Sequence, residues 1–173
     1  MIRRSLARGA LLLAVGALAL LVGCGGDERS STRPDELLGT PPAGLTYKVP
    51  DSASLKQLVQ IVKTDGNGIE PRDVAARVVL RHGVRAGAVV VLDTHGSDRD
   101  GVFTGFEKEA ADSGAKATDA TVAGAGVKQA EVKGLVATLA VEHGFALETI
   151  AADRRTGELL MRPLLERAAT VAD

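Results

Sequence analysis

A chain of 173 residues has room for one domain of ordinary size plus extensions. Its composition, 45% hydrophobic and 25% charged with no Trp, one Tyr and three Phe, fits a globular core of Ala, Val and Leu and excludes the aromatic platforms that stack single-stranded nucleic acid. A formal charge of -1 leaves no basic footprint for duplex nucleic acid either.

The N-terminus opens with MIRRSLAR, which carries three arginines and no acid. An apolar run, ALLLAVGALALLV, follows at residues 10–22. Such a run is short for a hydrocarbon core about 30 Å thick but suits the apolar region of a secretion signal. It ends in Leu21-Val22-Gly23-Cys24, which resembles the lipobox of bacterial lipoproteins. The resemblance covers residues 1–24. It implies a signal peptide over 1–23, a diacylglyceryl group on the Cys24 thiol, and often a further palmitate-like chain on the new N-terminus. Each buried CH₂ contributes about 0.8 kcal/mol, so two or more chains anchor firmly where one is marginal. The implied location is the extracytoplasmic face of the cell membrane. Arg3-Arg4-Ser5-Leu6 is also a partial twin-arginine pattern, which leaves the export route open. Cys24 is the single cysteine of the chain, so the exported part has no disulfide. Removing the three signal arginines from 21 basic residues leaves 18 against 22 acidic ones, a mildly acidic mature chain.

Residues 24–44 are rich in Gly, Ser, Pro and charge, and read as a flexible tether. One globular domain is expected over 45–173. LTYKV alternates as a short strand. Ser54 and Gln57 form a capping box for a helix whose apolar face is Leu55, Leu58, Val59 and Val62. Asp65-Gly66-Asn67-Gly68-Ile69 matches part of a calcium loop, but Lys63 takes the first ligand position and no Glu closes the loop. Glu70-Pro71 starts a second helix, with Val74, Val78 and Val79 inward and an Asp73–Arg77 pair outward.

LRHGVRAG, residues 80–87, resembles the RHGxRxP signature of histidine acid phosphatases. The resemblance implies His82 as phosphorylated nucleophile and Arg81 and Arg85 as phosphate ligands. Gly87 stands where that family has Pro, and His95 and His143, the two other histidines, are followed by Gly rather than Asp. A second reading comes from within the chain. RVVLRHGVRAGAVVV (77–91) lies over TLAVEHGFALETIAA (138–152) at an offset of 61 residues, which aligns His82-Gly83 with His143-Gly144. Both stretches read as helix, His-Gly, strand, with Gly as a left-handed helix terminator.

AGAVVVLD, residues 86–93, reads as a strand buried on both faces. The loop beyond it gathers Asp93, His95, Asp98 and Asp100, which could hold a divalent metal. Ser97 or Asp98 serves equally as N-cap of the helix carrying Val102, Phe103, Phe106 and Ala110. KATDATVAG alternates as a strand. Gly124-Ala125-Gly126 then leads into a predicted helix, VKQAEVKGLVATLAVEH, with Val127, Ala130, Leu135 and Leu139 inward. Strand, G-x-G, helix resembles a dinucleotide-binding fingerprint, but Gln129 occupies the third glycine position. FALETIAAD, RRTG and ELLMRPLL read as a C-terminal hairpin, and ERAATVAD as a short helical turn.

These elements predict an α+β (or α/β) domain, with helices packed on a four- or five-stranded mixed sheet. The leading functional expectation is a lipid-anchored, non-catalytic domain that binds a small ligand or an envelope protein, without cofactor or nucleic acid. The alternative is a small exported hydrolase using the 93–100 loop with a divalent metal.

Overall fold

A computed structural model of the chain describes residues 31–54 and 70–171. Its strands are β1 (Thr46–Lys48), β2 (Val74–Arg81), β3 (Val84–Asp93), β4 (Thr118–Val122), β5 (Ala125–Val132), β6 (Leu135–Glu142) and β7 (Phe145–Ala151). Its α-helices are α1 (Pro34–Leu38), α2 (Arg99–Asp112) and α3 (Arg154–Ala168). All seven strands join one sheet in the order β1-β2-β3-β7-β6-β5-β4, and every neighbouring pair is antiparallel. The expected four- or five-stranded mixed sheet with a C-terminal hairpin is therefore overturned.

The hairpins explain the difference. His82-Gly83, Ala123-Gly124, Lys133-Gly134 and His143-Gly144 each have positive φ at both residues, and each joins two directly paired strands. Two residues of positive φ form the tight turn whose twist matches that of the flanking strands. His-Gly thus closes a hairpin rather than ending a helix. The stretch predicted as a helix over 127–143 is β5, a Lys133-Gly134 turn and β6. The helix predicted after Glu70-Pro71 lasts one 3-10 turn, Pro71–Asp73, and then gives way to β2. In VAARVVLR the β-branched valines fit a pleated surface, with Val74, Ala76, Val78 and Leu80 on one side.

ELLMRPLL is the opposite case, because it belongs to α3. Leu160, Met161, Leu164, Leu165 and Ala168 recur at helical spacing and are buried against the sheet. Burying each large apolar side chain contributes about 1.5–3 kcal/mol, enough together to outweigh a helix-interior proline that costs about 3 kcal/mol. Asp153 caps α3 by accepting from the Thr156 N–H at 2.8 Å and from its hydroxyl at 2.9 Å.

The sheet is covered on both faces. α2 packs on one, with Val102, Phe106 and Ala110 against Val90, Leu92, Leu139 and Ile150. α1 and α3 pack on the other, against Val79, Val89, Val91 and Leu147. The folded part begins ahead of the boundary expected at Leu45, since Leu37 and Leu38 of α1 are core residues. The Arg167 guanidinium fixes α1 there by donating to the carbonyls of Leu37, Leu38 and Thr40. β7 is the central strand, and all seven of its residues are buried. The signal peptide with Cys24, the helix over 55–62 and the partial calcium loop lie outside the described residues, but residues 52–54 are already helical and Ser54 donates its N–H and hydroxyl to the Asp51 carboxylate, so Ser54 is not the expected N-cap. Among the described residues, no helix is long and apolar enough to cross a membrane.

Candidate functional site

The 93–100 loop does follow the end of β3, but its four candidate ligands part company. The Asp93 carboxylate accepts the His95 backbone N–H at 2.9 Å and so fixes the turn at His95-Gly96. The His95 ring turns to Asp73, with 3.1 Å between Nε2 and Oδ2. The alignment there misses hydrogen-bond geometry. Asp73 Oδ2 also accepts the Glu70 N–H at 2.7 Å. Asp98 is the N-cap of α2 and accepts the Gly101 N–H at 2.6 Å. Asp100 is exposed in the first turn of α2. Among the described residues, no three His, Cys, Asp or Glu side chains converge as a metal site.

The phosphatase-like motif spans the β2–β3 hairpin. His82 is exposed in its two-residue turn. The register pairs Arg81 with Val84 and Leu80 with Arg85. Because neighbouring residues of a strand alternate, Arg81 and Arg85 lie on opposite faces of the sheet and do not form one phosphate cradle. Gly124-Ala125-Gly126 belongs to the β4–β5 hairpin, so no helix N-terminus follows it to meet a pyrophosphate.

A different residue has the properties expected of a functional group. Glu148 lies at the middle of β7, paired with Val90 on one side and Leu139 on the other. The cross-strand row on this face runs Ala76, Val90, Glu148, Leu139, Lys128 and Asp119. Glu148 is 1% exposed, and among the described residues neither of its carboxyl oxygens has a hydrogen-bond partner. Leaving a buried polar group unpaired costs about 1–3 kcal/mol, so such a group calls for a reason.

Glu148 faces a cleft between the second half of α2 and strands β5–β7. The cleft encloses about 370 Å³, its open mouth included. Its walls are Phe106 and Ala110 of α2 above, with Ala130, Val132, Leu135, Ala137 and Ile150 of the sheet below. Glu109 and Ser113 stand on the α2 side. Within the cleft the room open to a water-sized molecule is about 20 Å³, about that of one water, so the cleft is a shallow one. Burial, with Asp112 as the lesser cause, pushes the Glu109 carboxyl up to about 7. Burial first, and the Glu109 charge second, hold the Glu148 carboxyl well above its ordinary range. Both causes act in favour of the protonated acid of Glu148.

The 93–100 loop draws attention in the sequence because its polar residues cluster. Glu148 is easy to pass over because it stands alone. The available signal is its setting: FALETIA is the strand most evenly apolar around an acid, and a strand buried on both faces cannot turn that acid to water. No family model matches this chain, and neither a curated protein nor a solved structure matches it.

Proposed function

We propose that the protein is a lipid-anchored lipoprotein of the extracytoplasmic membrane face whose domain binds a small, largely apolar ligand in the cleft between α2 and β5–β7. The observation that carries the binding role is the buried Glu148 carboxyl, which has no hydrogen-bond partner among the described residues and faces an apolar cleft. The anchor rests on the order of residues 1–24: a basic end, an apolar run, then Leu21-Val22-Gly23-Cys24. The binding role is a non-catalytic one: among the described residues the groups facing the cleft are two carboxyls and one hydroxyl, with no histidine beside Ser113 to activate it. The metal-dependent hydrolase is the less supported alternative, since Asp98 is engaged as a helix cap and Asp100 points to solvent.

One preparation tests both parts. Full-length protein recovered from bacterial membranes is expected to begin at Cys24 carrying a diacylglyceryl group by mass spectrometry, and Cys24→Ala to remain unprocessed. An unmodified N-terminus elsewhere refutes the anchor. In a nonionic detergent, titration with hexan-1-ol is expected to shift the methyl NMR signals of Ala110, Ala130 and Ala137 together. Ala137→Phe, which places a ring in the cleft, is expected to abolish the shifts of Ala110 and Ala130 while the amide spectrum stays folded. Unmoved signals in the unsubstituted chain refute the cleft as a binding site.

A further inference from the structure

The cleft is lopsided in charge. Its two ionisable groups, Glu109 and Glu148, are both acids, and Asp112, on the helix of Glu109, is a third acid nearby. A cation does lie on this face, since Lys128 shares the cross-strand row of Glu148 one strand beyond Leu139. Its Nζ is held by Glu107 at 2.5 Å and Asp119 at 2.8 Å and lies 5.9 Å from the Phe103 ring centroid. Lys128 is thus committed to two other carboxylates. Among the described residues, then, the cleft pairs an apolar wall with an acidic head group that no protein cation neutralises.

We propose that the ligand of this cleft is an amphiphile with one positive charge, an apolar body bearing an ammonium group, whose cationic end lies between Glu148 and Glu109. This rests on the reading of the cleft as a binding site and adds the charge of the occupant. The apolar body lies against Phe106, Ala130, Ala137 and Ile150. The ammonium donates to the Glu148 oxygens that otherwise have no partner, and its charge favours the ionised carboxyl. Glu148 then gives up its proton to solvent as the cation enters, so no charge is buried alone. A neutral alcohol gains the apolar contacts without that pairing, and a carboxylate ligand meets repulsion from Glu109.

The test uses the full-length chain in a nonionic detergent with glutamate carboxyls labelled with ¹³C. Hexylamine, hexan-1-ol and hexanoate are titrated in turn at pH 7. Hexylamine is expected to bind at least ten times more tightly than hexan-1-ol. It is also expected to move the Glu148 carboxyl signal to its ionised position, with hexanoate the weakest. Glu148→Gln keeps the side-chain shape and is expected to erase the preference for the amine while hexan-1-ol still binds. Should that variant fail to fold, Glu109→Gln at the mouth is expected to weaken hexylamine several-fold more than it weakens hexan-1-ol. Equal binding of amine and alcohol, or tighter binding of hexanoate, overturns the charge inference and leaves the cleft as a neutral site. Failure of all three probes to bind overturns the cleft reading itself.

Discussion

Glu148→Leu is expected to stabilise the domain, by about 1–3 kcal/mol near pH 5 and by more as the pH rises. Leucine fills a similar volume beside Val90 and Leu139, and it removes two buried oxygens that have no partner among the described residues. The pH dependence follows from the direction of the shifts. Glu148 and Glu109 both have folded-state pKa values raised above the ordinary one, Glu109 to about 7. Below the ordinary glutamate range both states hold their protons and no penalty arises. Above it the unfolded chain ionises first, so stability falls as the pH rises toward 7 for Glu109 and beyond the ordinary range for Glu148. The unsubstituted protein is thus expected to be more stable at pH 5 than at pH 8, and Glu148→Leu to flatten that slope. Urea melts at the two pH values measure both effects. A leucine variant less stable than its parent at pH 8 would mean that the carboxyl is satisfied in the folded protein.

Gly87→Ala is expected to cost about 3 kcal/mol, the upper part of the usual overpacking range. A Cβ at this position runs into the carbonyl oxygen of Ile150 on the neighbouring strand β7. The obstacle is backbone at one end of the β3–β7 ladder, where Gly87 pairs with Ala151, so no side chain can swing aside. The adjacent register shift at Val79/Leu80 lies on the same stretch of the hairpin. By contrast, a Cβ at Gly83 in the turn itself meets nothing within 4 Å, and its cost comes only from positive φ. Thermal or denaturant melts compare the two alanine variants. A loss under about 1 kcal/mol at Gly87 would show that the β3–β7 ladder yields easily.

The elements legible in the sequence were those with a single strong signal. The apolar run before Asp93 reads as the strand it is, and Ser97 or Asp98 reads as the cap that Asp98 supplies, because burial on two faces and capping chemistry each leave a local pattern. The hairpins were hidden by their first residues. His, Lys and Ala at left-handed positions lack the usual Asn or Asp, so His82-Gly83 and His143-Gly144 read as helix ends. Spacing was the better guide: Gly124, Gly134 and Gly144 recur every ten residues, the interval of a meander of short strands. The internal similarity between 77–91 and 138–152 was real as pattern, since both are hairpins of the same sheet. α3 was lost to Pro163, whose local preference yields to the burial of Leu160, Met161 and Leu164. The candidate site was invisible for another reason. Glu148 becomes notable only once β7 is known to be central, and the order in which strands pair across long stretches of chain leaves no local mark.

That central placement also bears on the order of folding. β4 through β7 follow one another through two-residue turns, and β2 and β3 do the same, so each meander can zip through neighbours in the chain. The seam between them cannot, because it joins Asp93 to Phe145 and Gly87 to Ala151. Closing such a long loop costs entropy before any contact repays it, and docking β7 onto β3 is therefore expected to be the slow step. The same step carries Glu148 out of water. Refolding is accordingly expected to slow as the pH rises above the ordinary glutamate range, and stopped-flow rates of Glu148→Leu that keep the parent's pH dependence would place the barrier elsewhere.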